Sequence, residues 1–114
     1  MDAHEQQLRS LYEAFNDRDA ERVLAEMTDE VDWPNGWEGG RVLGREAVVA
    51  YWRRQWSEID PRVEPVSITR HDDGTVSVDV HQTVRDLDGN LLSDGNVVHR
   101  YAFRGGLITR MDIE

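Results

Sequence analysis

The chain has 114 residues, with 13 Lys and Arg against 23 Asp and Glu, and a formal net charge of −10. This length suits one domain, and the negative charge argues against binding to nucleic acid or to an anionic membrane. Because the chain has no Cys, it cannot form disulfides or zinc–thiolate sites. No apolar run approaches the roughly 20 residues of a membrane span, and the acidic N-terminus is unlike a signal peptide. We therefore expect a single cytoplasmic domain over residues 1–114.

Two early segments have the apolar spacing of helices. Asp2 and Glu5 are spaced as in a capping box, and apolar residues follow at i, i+3, i+4 and i+7, namely Leu8, Leu11, Tyr12 and Phe15. The polar residues 16–19 end this predicted helix. A second, shorter helix is predicted after Asp19, its expected N-cap. Its apolar face consists of Ala20, Val23, Leu24 and Met27.

A loop and a third helix complete the N-terminal half. After residues 31–33, Pro34 and three nearby glycines predict irregular structure. The third helix is predicted from Gly44 to about Trp56, and Pro61 prevents its continuation. One side of this helix presents Val48, Tyr51, Trp52, Gln55 and Trp56.

Four tryptophans lie within 24 residues of this half: Trp33, Trp37, Trp52 and Trp56. Large amphipathic rings gathered in one sector can line a cavity, or they can simply fill a core. Both possibilities are open from the sequence.

The second half is predicted to form four strands, at residues 62–70, 75–85, 91–104 and 107–113. The turn sequences between them contain Asp72-Asp73-Gly74, Asp88-Gly89 and Arg104-Gly105-Gly106, which are typical of hairpins. Helices followed by a meander of strands predict an α+β domain.

Strand register separates apolar from polar residues. A two-residue turn at Asp88-Gly89 would pair residues whose numbers sum to 177. One face of the sheet would then carry Val76, Val78, Val80, Gln82, Val97, His99, Tyr101 and Phe103. A slip of one residue would destroy this separation. In the preceding hairpin, Ile68 and Val66 join the same face only if residues 72–74 form a three-residue loop with Gly74 in the left-handed conformation.

The order and spacing of several short segments resemble the nuclear transport factor 2-like superfamily, and within it the SnoaL-like branch. These segments are Asn16-Asp17-Arg18-Asp19, Val31-Asp32-Trp33-Pro34, residues 44–48 and residues 106–112. The resemblance implies a cone-like barrel, in which three N-terminal helices pack on a curved, mainly antiparallel sheet around a pocket. It also implies a homodimer formed through the outer sheet face. Relatives include steroid isomerases, polyketide cyclases, dehydratases and epoxide hydrolases, so fold alone does not assign a function.

The functional residues of the steroid isomerases are mostly missing. Their general base is an Asp directly before a Pro, where this chain has Trp33, with Asp32 one residue earlier. Their oxyanion-stabilising Tyr falls at Leu11, and their protonated Asp falls at His99. The resemblance therefore does not imply a steroid isomerase.

The SnoaL-like cyclases use an acidic residue late in the chain, for which Asp112 is the nearest candidate. Strand alternation places Asp112 and Met111 on opposite faces of the sheet. The resemblance favours Met111 inside the pocket.

His99 is the main catalytic candidate, because an imidazole on an apolar face can donate or accept a proton, or bind a ligand carbonyl. The alternative is a core histidine whose polar atoms are satisfied by Gln82, Tyr12 or Tyr101. Asp32 is a second candidate, as a base at the pocket mouth, although an acidic residue after a helix is more often solvated.

Other polar patterns do not predict sites. Ser77, Asp79 and His81 alternate along one strand and face away from the pocket, so they cannot form a catalytic triad. The segment 86–90 resembles the start of a calcium loop but is explained as a hairpin turn. The histidines lack the spacing of metal ligands, and neither a metal nor a cofactor is expected.

These observations leave three functions open. The first is a cofactor-free isomerase, cyclase or hydratase that acts on a small hydrophobic carbonyl or polycyclic compound through His99. The second is a noncatalytic module that binds such a ligand, and the third is a dimeric interaction module with a filled pocket. The residues predicted to line the pocket are Tyr12, Trp33, Trp37, Trp52, Trp56, Gln82, Val97, His99, Tyr101 and Met111.

Overall fold

A computed structural model describes residues 3–36 and 38–114. Helix α1 spans Ala3–Asn16, and its buried side consists of Leu8, Leu11, Tyr12 and Ala14. The apolar positions at helical spacing thus face the core, as expected for an amphipathic helix. Asp2, the predicted N-cap, lies outside the described residues.

The second helical segment is a 3₁₀ helix, Ala20–Glu26. With three residues per turn, Ala20 and Val23 lie on one side and are both buried. Asp19 is the N-cap residue of this helix, as predicted, but its side chain makes no capping hydrogen bond. The prediction also extended the helix to Met27, which instead begins a strand because its backbone pairs with Ile108.

The described residues contain three helices and a six-stranded, mostly antiparallel sheet, and the fold is α+β. The remaining elements are β1 (Met27–Pro34), β2 (Arg41–Leu43), α2 (Arg45–Trp56), β3 (Ile59–Arg70), β4 (Val76–Asp86), β5 (Leu91–Arg104) and β6 (Leu107–Ile113). The strand order is β2-β1-β6-β5-β4-β3, with β1 parallel to β6.

The four-stranded meander predicted from the sequence is therefore incomplete. Strand β1 was not predicted, because buried and exposed residues alternate only over residues 31–33 and not along the whole strand. Pro61 lies inside β3, although it was expected only to stop a helix. Strand β3 is an edge of the sheet, where a residue without a backbone N–H is tolerated.

The register predicted for β4 and β5 is confirmed, but the predicted turn is wrong. The backbone N–H of Asp86 donates to the carbonyl of Asn90 at 2.9 Å, which closes a three-residue loop with Gly89 at a φ of 93°. Leu92 is then an extra residue in β5, because Arg85 pairs with Leu91 and Val84 with Ser93. This irregularity restores the pairs Val80–Val97, Val78–His99 and Val76–Tyr101.

The predicted loop between β3 and β4 is confirmed. His71 N–H donates to the Thr75 carbonyl across residues 72–74, and Gly74 has a φ of 88°. Ile68 pairs with Val78 and packs against the core. The prediction for Val66 is wrong, because the register shifts between Pro65 and Ser67 and leaves Val66 61% exposed.

The two sides of the sheet differ in character. We call the side that carries Val78, Val80 and His99 the inner face, and α1 and α2 pack against it with their buried residues. The outer face carries polar side chains at the alternate positions, among them Asp32, Ser77, Asp79, His81, Asp94, Arg110 and Asp112. The dimer expected through the outer face stays a prediction. Within residues 3–36 and 38–114, no helix is long and apolar enough to cross a membrane.

Candidate functional site

A cavity of about 440 Å³ lies between the two α-helices and the inner face of the sheet. It is lined by Leu11, Tyr12, Phe15, Trp33, Pro34, Gly36, Tyr51, Trp52, Gln55, Ile59, Val63, Gln82, Val84, Ser93, Val97, His99, Tyr101, Met111 and Ile113. No Asp, Glu, Lys or Arg is among these lining residues. Gly36, Ser93 and Ile113 are exposed, so the cavity reaches the surface where these residues lie.

Aromatic rings form one wall of the cavity. Trp33 and Trp52 pack edge to face with ring centroids 5.6 Å apart, and Phe15 packs in the same manner on Trp52 at 5.2 Å. Trp56 contacts Phe15 and Trp52 from behind and does not line the cavity. Its placement there differs from the predicted pocket position. Trp37 lies outside the described residues.

His99 is buried on the inner face at the level of Val78, with only 8% of its surface exposed. Its Nδ1 lies 2.9 Å from the Tyr12 hydroxyl. Burial lowers the pKa of His99 to about 4, because removal from water disfavours the charged imidazolium. The ring is therefore neutral at neutral pH.

Two phenols and the imidazole form a chain of hydrogen bonds. Besides its bond to His99, the Tyr12 hydroxyl lies 2.8 Å from the Tyr101 hydroxyl. Burial raises the pKa of both tyrosines, so both keep their protons. Tyr12 is the one hydrogen-bond partner of the Tyr101 hydroxyl among the described residues, so a satisfied Tyr101 O–H donates to Tyr12.

The donor and acceptor roles in these hydrogen bonds determine the tautomer of His99. Because Tyr12 accepts from Tyr101, its own proton is donated to Nδ1 of His99. The imidazole proton must then reside on Nε2, which binds no other described residue. With this assignment the uncharged His99, which is among the lining residues of the cavity, carries its N–H on Nε2.

Two side-chain amides are the other notable polar groups of the lining. Gln82 lies on β4 and was predicted to line the pocket, whereas Gln55, in the last turn of α2, was not proposed for the site. The position of Gln55, three residues after Trp52 on the same side of α2, could have indicated that it lines the cavity. Neither amide hydrogen-bonds to a described residue, and both are partly buried.

Several predicted lining residues meet at this cavity. Tyr12 comes from α1, Trp33 from β1 and Met111 from β6, while Val97 and Tyr101 come from β5. Met111 is 2% exposed, consistent with the inside position that the resemblance favoured. Other lining residues were not predicted from the sequence, including Leu11, Phe15, Val63 and Ser93. The packing of helices against strands determines which of the many inward-facing residues line the cavity.

Asp32 lies on the outer face, away from the cavity. Its carboxylate accepts hydrogen bonds from Arg41 at 2.6 Å and from Arg110 at 3.0 Å. Asp112 accepts from the same two guanidinium groups, and the bond from Arg110 is the main cause that lowers the pKa of Asp112. Alternation along β1 explains the position of Asp32, since the neighbouring Val31 and Trp33 are buried. Its expected place at the pocket mouth is corrected accordingly.

The patterns that did not predict sites have structural roles. On the outer face, Ser77 bonds to His71 and His81 to Asp94, so no triad forms. The Asp86 carboxylate accepts the backbone N–H groups of Asp88 and Asn90, as in a turn. Across the described part of the chain, no three His, Asp or Glu side chains come together as ligands for a metal ion.

Comparisons with known proteins agree with this fold. The model of the SnoaL-like domain family matches residues 8–111. A nuclear transport factor 2-like protein of unknown function from Burkholderia pseudomallei K96243 is 26% identical, with a TM-score of 0.85 over 100% of this chain and 91% of that chain. No curated protein matches the sequence.

Two further solved structures share the fold at lower identity. TerC, co-crystallised with polyporic acid, is 24% identical, with a TM-score of 0.84 over 99% of this chain and 91% of that chain. A candidate polyketide cyclase from Xanthomonas campestris pv. campestris is 22% identical, with a TM-score of 0.79 over 97% and 88% of the two chains.

Proposed function

The chain belongs to the SnoaL-like domain family, and from this premise we propose that its cavity binds a small, uncharged hydrophobic carbonyl compound that accepts a hydrogen bond from His99. The observation that carries the proposal is the contact between the Tyr12 hydroxyl and Nδ1 of the buried His99, in a cavity whose described lining residues include no Asp, Glu, Lys or Arg. A carbonyl oxygen is the simplest acceptor for this donor. The cone-like enclosure expected from the family would hold the rest of the ligand among Trp33, Trp52 and Val97.

The same hydrogen bond can support chemistry. When a carbonyl compound enolises, cyclises or adds water, negative charge develops on its oxygen, and a preorganised donor stabilises that charge. In this proposal His99 acts as a hydrogen-bond donor to the developing oxyanion, and Tyr12 and Tyr101 keep its proton on Nε2. Structural neighbours with cyclase names lend support to this reaction class, which is cofactor-free isomerisation, cyclisation or hydration.

A noncatalytic binding protein is the second candidate. It is favoured by one observation, namely that the described residues that line the cavity include no Asp or Glu to remove a proton from a ligand. In that case His99 orients the ligand and does no chemistry. A filled interaction module is less well supported, because the cavity volume of about 440 Å³ falls within the range of small-molecule sites.

Binding can be tested through the fluorescence of Trp33 and Trp52. The probes are para-acetylbiphenyl, which has a carbonyl, and para-ethylbiphenyl, which has the same rings without one. One neutral hydrogen bond contributes about 1 kcal/mol, so we expect the ketone to bind roughly fivefold more tightly. His99→Phe should remove this preference, whereas Asp32→Asn on the outer face should preserve it.

The outcome of these titrations can reject the proposal or distinguish catalysis from binding alone. If neither probe quenches tryptophan fluorescence, the cavity is not a site for such ligands and the proposal is wrong. If ketones bind, incubation and chromatography test for conversion, and any product must disappear with His99→Phe. Stable binding without conversion of a panel of polycyclic ketones would support the noncatalytic candidate.

A further inference from the structure

We propose that the amides of Gln82 and Gln55 form a second polar subsite of the cavity, so that the preferred ligand is an elongated, uncharged compound with an oxygen at each end. This inference rests on the proposed function and deepens it. The first oxygen would accept from His99, and the second would bind at the amide end. The ligand class is a flat carbonyl compound with a distal hydroxyl or second carbonyl.

Strand register sets the separation of the two polar points. His99 pairs with Val78, whereas Gln82 lies four residues further along β4 and pairs with Gly95. A strand advances roughly 3.3 Å per residue, so the two levels are about 13 Å apart along the sheet. Two or three fused or linked rings span such a distance.

The wall between these two levels is apolar. Val97 on β5 pairs with Val80 between them, and Val63 on β3 faces the cavity beside Gln82. Trp52 and Phe15 cover the opposite side from the helices. A hydrophobic body therefore fits the middle of the cavity, and polar atoms fit its ends.

Gln55 lies at the same end of the sheet as Gln82. Only three residues separate Gln55 from Ile59, and Ile59 pairs with Asp86 next to the β4–β5 hairpin. Both glutamines line the cavity, and neither amide is used by another described residue. Each amide carries donors and an acceptor, so the pair can bind either a hydroxyl or a carbonyl without requiring charge.

The test compares two ligands that differ by one hydroxyl. Para-acetylbiphenyl has one carbonyl, and its derivative with a hydroxyl at the far para position has an oxygen at each end. For the wild-type chain, we expect the hydroxy derivative to bind about tenfold more tightly in a tryptophan-fluorescence titration. Gln82→Met, which keeps length and removes the amide, should reduce this ratio to about one while affinity for the parent ketone stays within twofold. Gln55→Met should also lower the ratio of the two affinities.

Controls separate this inference from the function on which it rests. Thr83→Val alters the next residue of β4, on the outer face, and should leave the ratio unchanged. His99→Phe should weaken both ligands by the same factor and leave the ratio intact. If the wild-type ratio is near one while His99→Phe still weakens both ligands, the subsite is wrong and the proposed function stands. If neither ligand binds, both proposals are wrong.

Discussion

The polar groups on the two faces of the central sheet differ in charge and in exposure to water. On the outer face, Asp32 and Asp112 are charged, share Arg41 and Arg110, and remain partly open to water. On the inner face, His99 and the phenols beside it are kept neutral by burial. Water and opposite charges stabilise ions on one face, whereas the other tolerates only neutral, hydrogen-bonded groups. A polar atom directed at the cavity is therefore more informative about function than a charged cluster on the outer face.

The largest expected effect comes from a charge placed on the inner face. Val78 is 0% exposed and Val66 is 61% exposed, although both belong to the same sheet. Val78→Asp should destabilise the fold by more than about 4 kcal/mol, because it buries an unpaired carboxylate. The identical change Val66→Asp should cost less than about 0.5 kcal/mol. Urea denaturation measures both free energies of unfolding, and equal losses would mean that the register shift between Pro65 and Ser67 does not expose Val66.

The pH dependence of stability distinguishes His99 on the inner face from the carboxylates on the outer face, because their pKa values differ. The pKa of His99 is lowered to about 4 from about 6.5 in the unfolded chain. The unfolded state therefore binds the proton more readily, and stability is lost as pH falls from about 6.5 to about 4. The loss amounts to about 3 kcal/mol.

The control for this titration is His99→Phe, which should flatten the stability curve between pH 6.5 and 4. Asp94 on the outer face titrates in a different pH range. A hydrogen bond with His81 lowers the pKa of Asp94, so its contribution is lost only below the usual carboxyl range. An unchanged curve in the His99→Phe variant would contradict the buried, neutral imidazole.

Tyr101→Phe tests the chain of hydrogen bonds on the inner face. Removing this hydroxyl leaves Tyr12 with His99 as its hydrogen-bond partner, at a cost of about 1 kcal/mol. The more specific consequence is a mixture of imidazole tautomers, since Tyr12 can then accept from Nδ1–H. Nitrogen NMR of His99 measures the tautomer directly. If His99 of the wild-type protein carries its proton on Nδ1, the assigned direction of the hydrogen bonds from Tyr101 through Tyr12 to His99 is wrong.

The smallest effect is expected on the outer face. Asp32→Asn weakens two ion pairs of partly exposed groups, so it should cost less than about 1 kcal/mol, and less again in high salt. Ketone affinity should be unchanged, since Asp32 does not line the cavity. Loss of binding or of activity in this variant would restore Asp32 as a candidate for the site.

Much of the architecture follows from local pattern. Apolar residues at helical spacing indicate α1 and α2, and alternation along β4 and β5 is enough to assign Val78, His99 and Tyr101 to one face. These signals are local, because side-chain direction follows from the period of each element. Even the left-handed glycine of the β3–β4 loop is predictable, since only a three-residue loop keeps Ile68 on the inner face.

Contacts between distant segments decided the rest. Strand β1 exists because its backbone pairs with β6 at the far end of the chain, and pairing over such a distance leaves no mark in local periodicity. The same holds for the site, where Tyr12 and Tyr101 come from opposite ends of the sequence to meet at His99. Sequence alone determined that His99 faces inward. Only the tertiary structure decided that it is buried, neutral and hydrogen-bonded to Tyr12, because burial and hydrogen-bond partners depend on packing.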